Sequence, residues 1–147
     1  MTRITEIEDE IREAMKARDA ERRDALRLIV NSLKNSEKEL QRPLSEDEEL
    51  QVLQRERKRR IEAAEAFRSG GHPDRAEAEE RELAILQEFM PEPLSEEELE
   101  EIVDDVIAEV GATSMRDLGR AMAAVMPPGS GRADGSMVSQ LVREKLA

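Results

Sequence analysis

Apolar residues recur every three or four positions along most of the chain, the spacing that lines one face of an α-helix. Ile4, Ile7, Ile11 and Met15 form one stripe, and Leu26, Ile29, Val30, Leu33 and Leu40 form a second. The break between them near Arg18-Asp19 predicts a helical hairpin, the simplest connection of two consecutive amphipathic helices. The second helix is expected to stop at Gln41-Arg42-Pro43, because proline disfavours helical geometry at the preceding residue and has no amide to donate.

Ser45-Glu46-Asp47-Glu48 matches a capping box, in which Ser45 accepts from the amide three residues on and Glu48 reaches back. It opens a long helix with Leu50, Leu53, Ile61, Ala64 and Phe67 on one stripe, closed by Ser69-Gly70-Gly71. Another helix follows His72-Pro73, with Ala76, Leu83, Leu86 and Met90 facing inward. Pro91-Glu92-Pro93 makes a stiff extended link that neither flanking helix crosses. The division expected is therefore an N-terminal helical domain over residues 1–92 and a C-terminal domain over residues 93–147.

In the second part, Ser95-Glu96-Glu97-Glu98 reads as a second capping box, ahead of Leu99, Ile102, Val103, Val106, Ile107 and Val110 on one face and a stop at Gly111. A short helix from Ser114 to about Met126 carries Met115, Leu118, Met122 and Val125, and a last one after Asp134 carries Val138, Leu141, Val142 and Leu146. The predicted fold class is all-α: an N-terminal helical hairpin or bundle followed by a small three-helix domain.

Composition supports this. Phe67 and Phe89 are the only aromatics, so the interior is built from Leu, Ile, Val, Ala and Met, a mixture that favours helices, and no β-hairpin signal is present. The absence of cysteine removes disulfides, thiolate metal sites and cysteine nucleophiles, and fits a reducing compartment. No segment approaches the roughly 20 apolar residues of a membrane span, and the N-terminus lacks the apolar run of a signal peptide. A cytoplasmic location without membrane association is expected.

The net charge of −12 argues against general nucleic-acid binding, DNA included, since phosphate affinity comes largely from Lys and Arg. Its distribution is uneven. Glu96 to Glu109 holds eight acids and no base, whereas from Thr113 onward there are five bases and three acids. A dipolar C-terminal domain follows, whose positive side can meet phosphate while the rest of the molecule repels non-specific RNA.

Candidate chemistry is sparse. His72, in a Gly-Gly-His-Pro turn, is the only side chain with an ordinary pKa near neutrality, and no Glu-x-x-His pair or other metal-ligand spacing accompanies it. Gly129-Ser130-Gly131-Arg132-Ala133-Asp134-Gly135 can present amides to a phosphate, but it lacks the lysine and spacing of a P-loop and reads more simply as a turn in which Asp134 caps the last helix. Arg55, Arg57, Lys58, Arg59 and Arg60 cluster on the long helix beside Glu56, Glu62 and Glu65, which reads as a solvated face. Met115, Met122, Met126 and Met137 read as ordinary core. Catalytic residues, a metal site and a cofactor are not indicated.

The stretch Gly111-Ala112-Thr113-Ser114-Met115-Arg116-Asp117-Leu118-Gly119-Arg120-Ala121-Met122, then Met126-Pro127, then Gly131-Arg132-Ala133-Asp134-Gly135 with Val138 and Leu141, resembles the signature of the GatB/YqeY family. Leu26-Arg27-Leu28, Asn31-Ser32-Leu33-Lys34-Asn35, Glu65-Ala66-Phe67-Arg68 and Phe89-Met90-Pro91 extend the resemblance over almost the whole chain. It implies a C-terminal helical domain like the tail of the GatB subunit of tRNA-dependent amidotransferase, a tail that assists tRNA recognition. By that resemblance the partners are tRNA and an aminoacyl-tRNA synthetase or amidotransferase. The carbon-nitrogen ligase label that the family carries, with glutamine as amido donor, has no recognisable glutaminase or ATP site to support it here.

Arg can both pair with phosphate and stack on bases, so Arg116, Arg120 and Arg132 are the candidate RNA contacts, with Arg143 and Lys145 as weaker additions. Arg116 and Arg120 stand four apart on one predicted helix. Gly111, Met115, Gly119, Gly131, Asp134 and Gly135 are motif positions assigned to packing and turns. The expected function is a non-catalytic tRNA-binding module, the alternative a protein-interaction adaptor acting through the N-terminal helices.

Overall fold

The computed structural model describes residues 2–129, 132, 133 and 135–147, with side chains 126–129 left aside. All regular structure among the described residues is helical, and the chain divides into two compact units, Met1–Pro91 and Glu92–Ala147. Among those residues no helix is long and apolar enough to cross a membrane.

The first unit contains α1 (Arg3–Lys16), α2 (Ala20–Leu40), α3 (Glu46–Ser69) and α4 (Pro73–Gln87). Side chains fix the helix starts. Thr2 accepts from the Thr5 amide, Asp19 from the Arg22 amide, and Ser45 with Glu48 forms the complete capping box. The α1–α2 turn holds Arg18 at φ 59°, and α2 ends with Gln41 at φ 57°, so two non-glycine residues occupy the left-handed region where the chain reverses.

α1 packs on α2, α3 on α4, and α2 meets both α3 and α4. Ile7, Leu26, Leu33, Leu53 and Leu86 are almost wholly buried at the centre, with Val52, Phe89 and Met90 around them. The stripe predicted for α3 holds at Leu50, Leu53 and Ala64, but Val52 is also buried, while Ile61 and Phe67 are only half-buried. The cause is a change of neighbours: Val52 and Leu53 join the core that α2 contributes to, whereas the distal part of α3 has only α4 beside it and closes on the small Ala64 and Ala76. Leu83 is half-buried, and Met90 lies beyond the end of α4.

Glu49, in the first turn of α3, is 9% exposed, and its Oε2 has no hydrogen-bond partner among the described residues. Burial pushes its carboxyl above the usual glutamate range, opposed by the charge of Arg3. The Glu82 carboxyl on α4 is raised for the same leading reason, with Arg60 opposing. A raised native pKa contributes stability below the unfolded glutamate value, and that contribution is lost as pH rises through the native one. The urea midpoint of the native chain is therefore expected to climb as pH falls from 7 towards 5. Glu49→Gln should stabilise the neutral-pH protein by about 1 kcal/mol and flatten the climb. Glu48, held at about 2 chiefly by Arg42, works in a separate window, since its contribution disappears only as pH drops from the ordinary glutamate range through that value. A Glu49→Gln midpoint equal to or below the native one at pH 7 would contradict this account.

The second unit contains α5 (Glu96–Val110), a 3₁₀ turn at Met115–Asp117, α6 (Leu118–Gly129) and α7 (Gly135–Leu146). Leu99, Val103, Ala121, Val125, Val138 and Val142 form its buried centre, flanked by Ile102, Leu118 and Met122. Gly111 closes α5 at φ 67°, a left-handed conformation that side chains rarely adopt.

Several expectations change here. The box at Ser95 is only half built: Ser95 Oγ accepts from the Glu98 amide at 3.1 Å, but the Glu98 carboxylate accepts from the Ser95 hydroxyl and lies 4.0 Å from Arg132 rather than reaching the Ser95 amide. Met115 and Met137 are 42% and 43% exposed, not core, because Met115 sits on the 3₁₀ turn and Met137 on the first turn of α7. The helix expected from Ser114 instead begins with that turn and runs as α6 to Gly129, past Met126. Glu92 belongs with the second unit, where its carbonyl accepts from Arg132 Nε at 3.1 Å.

Candidate nucleic-acid interface

Ser114 opens the 3₁₀ turn by accepting from the Arg116 amide at 3.3 Å, and Asp117 closes it by accepting from the Thr113 amide at 3.0 Å. The loop after Gly111 is thereby tied at both ends, which fixes the start of α6. Asp117 also pairs with Arg120 at 3.0 Å. The Thr113 amide first, then the charge of Arg120, hold the Asp117 carboxyl below the usual aspartate range, so it stays ionised.

The five cations singled out in the sequence meet different fates. Arg116 is exposed and makes no ion pair among the described residues. Arg120 is exposed, with Asp117 as its local partner, and Arg143 is exposed, its Nε donating to Ser139 Oγ at 3.2 Å within α7. Lys145 is drawn across to α5, with Nζ 2.7 Å from Glu100 and 3.2 Å from Asp104, and these carboxylates raise its pKa. Arg132 clamps the segment before α5 through the Glu92 carbonyl, while the Leu94 amide donates to the Arg132 carbonyl at 2.8 Å. Part of the expected positive side is thus neutralised by the acidic helix α5. Arg116, Arg120 and Arg143 remain as exposed cations with no contact to a distant part of the chain among the described residues, whereas Arg132 and Lys145 are tied into the fold.

The motif glycines also separate. Gly111 is required by its backbone angle. Gly119 and Gly135 are exposed, and a Cβ at either would meet no atom within 4 Å among the described residues beyond its chain neighbours and its own helix backbone. Gly131 and Asp134 lie outside the described residues, as does the amide cradle around them.

In the first unit, His72 is exposed at the start of α4 and makes no side-chain cap. The α3 basic cluster is not wholly a solvated face. Arg60, 15% exposed, lies 3.7 Å from Glu56 on its own helix and 3.6 and 3.0 Å from Glu79 and Glu82 on α4, and Glu56 is itself buried. Sequence reading missed this network. Its trace was Glu56 four residues before Arg60, with Glu79 and Glu82 three apart on the next helix. A separate cleft of about 510 Å³ is lined by Arg3, Glu6, Glu46, Glu49, Glu88 and Phe89 together with Thr2, whose hydroxyl oxygen caps α1 by accepting from the Thr5 amide. No cluster of His, Cys, Asp and Glu fit to hold a metal ion occurs among the described residues.

The geometry offers exposed arginines on a helical scaffold. Comparison with known proteins gives that scaffold a lineage. Over 82 residues the chain is 38% identical to a glutamyl-tRNA(Gln) amidotransferase subunit of Thermococcus gammatolerans, a match that covers 51% of this chain and 12% of that much longer protein. The chain thus spans a small fraction of that relative's length. The family described as Yqey-like protein matches residues 4–146, which takes in both units, and on that match the chain belongs to the Yqey-like protein family.

Proposed function

We propose that this protein is a non-catalytic tRNA-binding module of tRNA metabolism, contacting RNA through the exposed arginines of its second unit. The observation that carries the reading is the survival of Arg116 and Arg120 at the surface of an otherwise acidic chain, four residues apart, in a protein similar in part to a glutamyl-tRNA(Gln) amidotransferase subunit. Guanidinium groups pair with phosphate and stack on bases, and an acidic remainder discourages binding at other sites. Only a few contacts are available, so the affinity is modest and salt-sensitive.

The test is fluorescence anisotropy of labelled total tRNA over a salt series. Each phosphate contact contributes roughly 0.7–0.9 to the slope of log K against log salt. The Arg116→Ala/Arg120→Ala double variant is expected to lose about tenfold or more in affinity at low salt and to lower the slope by between one and two. Arg132 is left intact because its guanidinium holds the Glu92 carbonyl.

A protein adaptor is the second reading, favoured by the exposed Met15, Leu28 and Leu40 on the first unit. Absence of tRNA binding by the native chain at low salt, with capture of a synthetase or amidotransferase by that unit, would favour it. Glutamine- or ATP-dependent turnover by the purified chain would overturn the non-catalytic assignment.

A further inference from the structure

We infer that the backbone of α6 at Gly119 is a close-approach point for the RNA sugar-phosphate chain, where the absence of a side chain lets the RNA reach between Arg116 and Arg120. This rests on the tRNA-binding reading and adds to it a steric determinant that charge alone does not provide.

Glycine is a poorer helix former than alanine because it surrenders more backbone freedom on folding. Three other glycines have a local reason, and Gly135, which has none, does not lie between two exposed arginines. Gly71 and Gly111 occupy left-handed angles, and a Cβ at Gly70 would crowd the Ala66 carbonyl at 3.3 Å. Gly119 has neither reason. Its φ is not left-handed, a Cβ there would have nothing within 4 Å, and the residue is exposed on α6. Nothing inside the described fold makes use of the missing side chain, so its use lies outside.

The surroundings identify the visitor. Arg116 stands three residues before Gly119, Arg120 directly follows it, and Met115, 42% exposed, is four residues back. The 3₁₀ turn of Met115–Asp117 runs directly into α6, so Arg116 and Arg120, four residues apart, stand about one turn from each other with Gly119 between them in the chain. Asp117, the acid within this stretch, is already taken up by the Thr113 amide and by Arg120. A bare backbone flanked by two guanidiniums and an exposed thioether fits an anionic chain with an apolar ribose or base surface, which is the chemistry of a polynucleotide.

Gly119→Ala tests the inference in the native-length protein, using labelled tRNA over a salt series together with thermal melting. Alanine should raise the melting temperature of the second unit by about 3–8 °C, since it improves the helix and meets no atom of another element among the described residues. Affinity should nevertheless fall by roughly fivefold to a hundredfold, the range for forcing one group into a close contact. Because no charge is removed, the salt slope should match the native one. Native affinity in Gly119→Ala overturns the inference and leaves the tRNA-binding reading standing. A native chain that fails to bind tRNA sinks both, and a lowered salt slope in the variant overturns the steric account by tying the loss to the arginines.

Discussion

Leu99→Ala is expected to unfold most of the second unit. Leu99 is 0% exposed on α5 and belongs to a core of Leu, Val and Ala with no aromatic residue to absorb a void. Removing a buried leucine side chain costs about 2–5 kcal/mol, because transfer free energy is lost and the neighbours refill the cavity only in part. A unit of 56 residues, Glu92–Ala147, has about 3–8 kcal/mol in total on ordinary per-residue values. Urea unfolding followed by circular dichroism, with amide NMR dispersion for residues 96–146, measures the outcome. A native-like midpoint with all α5, α6 and α7 resonances retained would show that this core is held by something other than Leu99. If the unit melts as expected, tRNA binding should vanish with it, since Arg116, Arg120 and Gly119 depend on the same scaffold.

Arg60→Ala is the second large effect, in the first unit. Arg60 is the cation shared by Glu56, Glu79 and Glu82, with a closest approach of 3.0 Å to Glu82. Its removal leaves Glu79 and Glu82 facing each other without the cation between α3 and α4, while buried Glu56 keeps Arg59 at 3.2 Å and Glu79 Oε2 is already without a hydrogen-bond partner among the described residues. Breaking a fully buried pair costs about 3–5 kcal/mol, and partial solvent access at Glu79 and Glu82 reduces this to roughly 2–3 kcal/mol. The loss should shrink as pH falls, because burial raises the Glu82 carboxyl and its protonation removes one of the facing charges. Adding Glu82→Gln to Arg60→Ala should recover part of the stability, because it removes one of the two carboxylates left facing each other. If Arg60→Ala unfolds at the native urea concentration, the network is a surface decoration and the original reading of a solvated face stands.

Much of the architecture was legible because helix signals are local. The period of Ile4, Ile7, Ile11 and Met15, the proline after Arg42, the box at Ser45 and the glycine at 111 each act within a few residues, so the order of elements is readable without knowing their neighbours. Other details depended on what lay opposite. Val52 is buried because α3 lies against the core that α2 contributes to, and Met115 is exposed because the chain makes a 3₁₀ turn before α6. Glu98 failed to complete its box while its carboxylate met the Ser95 hydroxyl, with Arg132 nearby, a residue 34 positions further on.

For the candidate site the division is sharper. Its residues were named in the sequence because Arg116, Gly119 and Arg120 stand in a motif that resembles the family's, and that resemblance needs no coordinates. Which of those residues face solvent was not readable. Lys145 and Arg132 carry the same formal charge as Arg116, yet Glu100, Asp104 and the Glu92 carbonyl occupy them from distant points of the chain. Composition and the order of charges determined an acidic, cysteine-free helical protein in which bases outnumber acids from Thr113 onward. Only the tertiary structure decided which bases are neutralised and which glycines have open space where a side chain would stand, because ion pairing and steric need depend on separation in space, which helix packing sets, and not on separation along the chain.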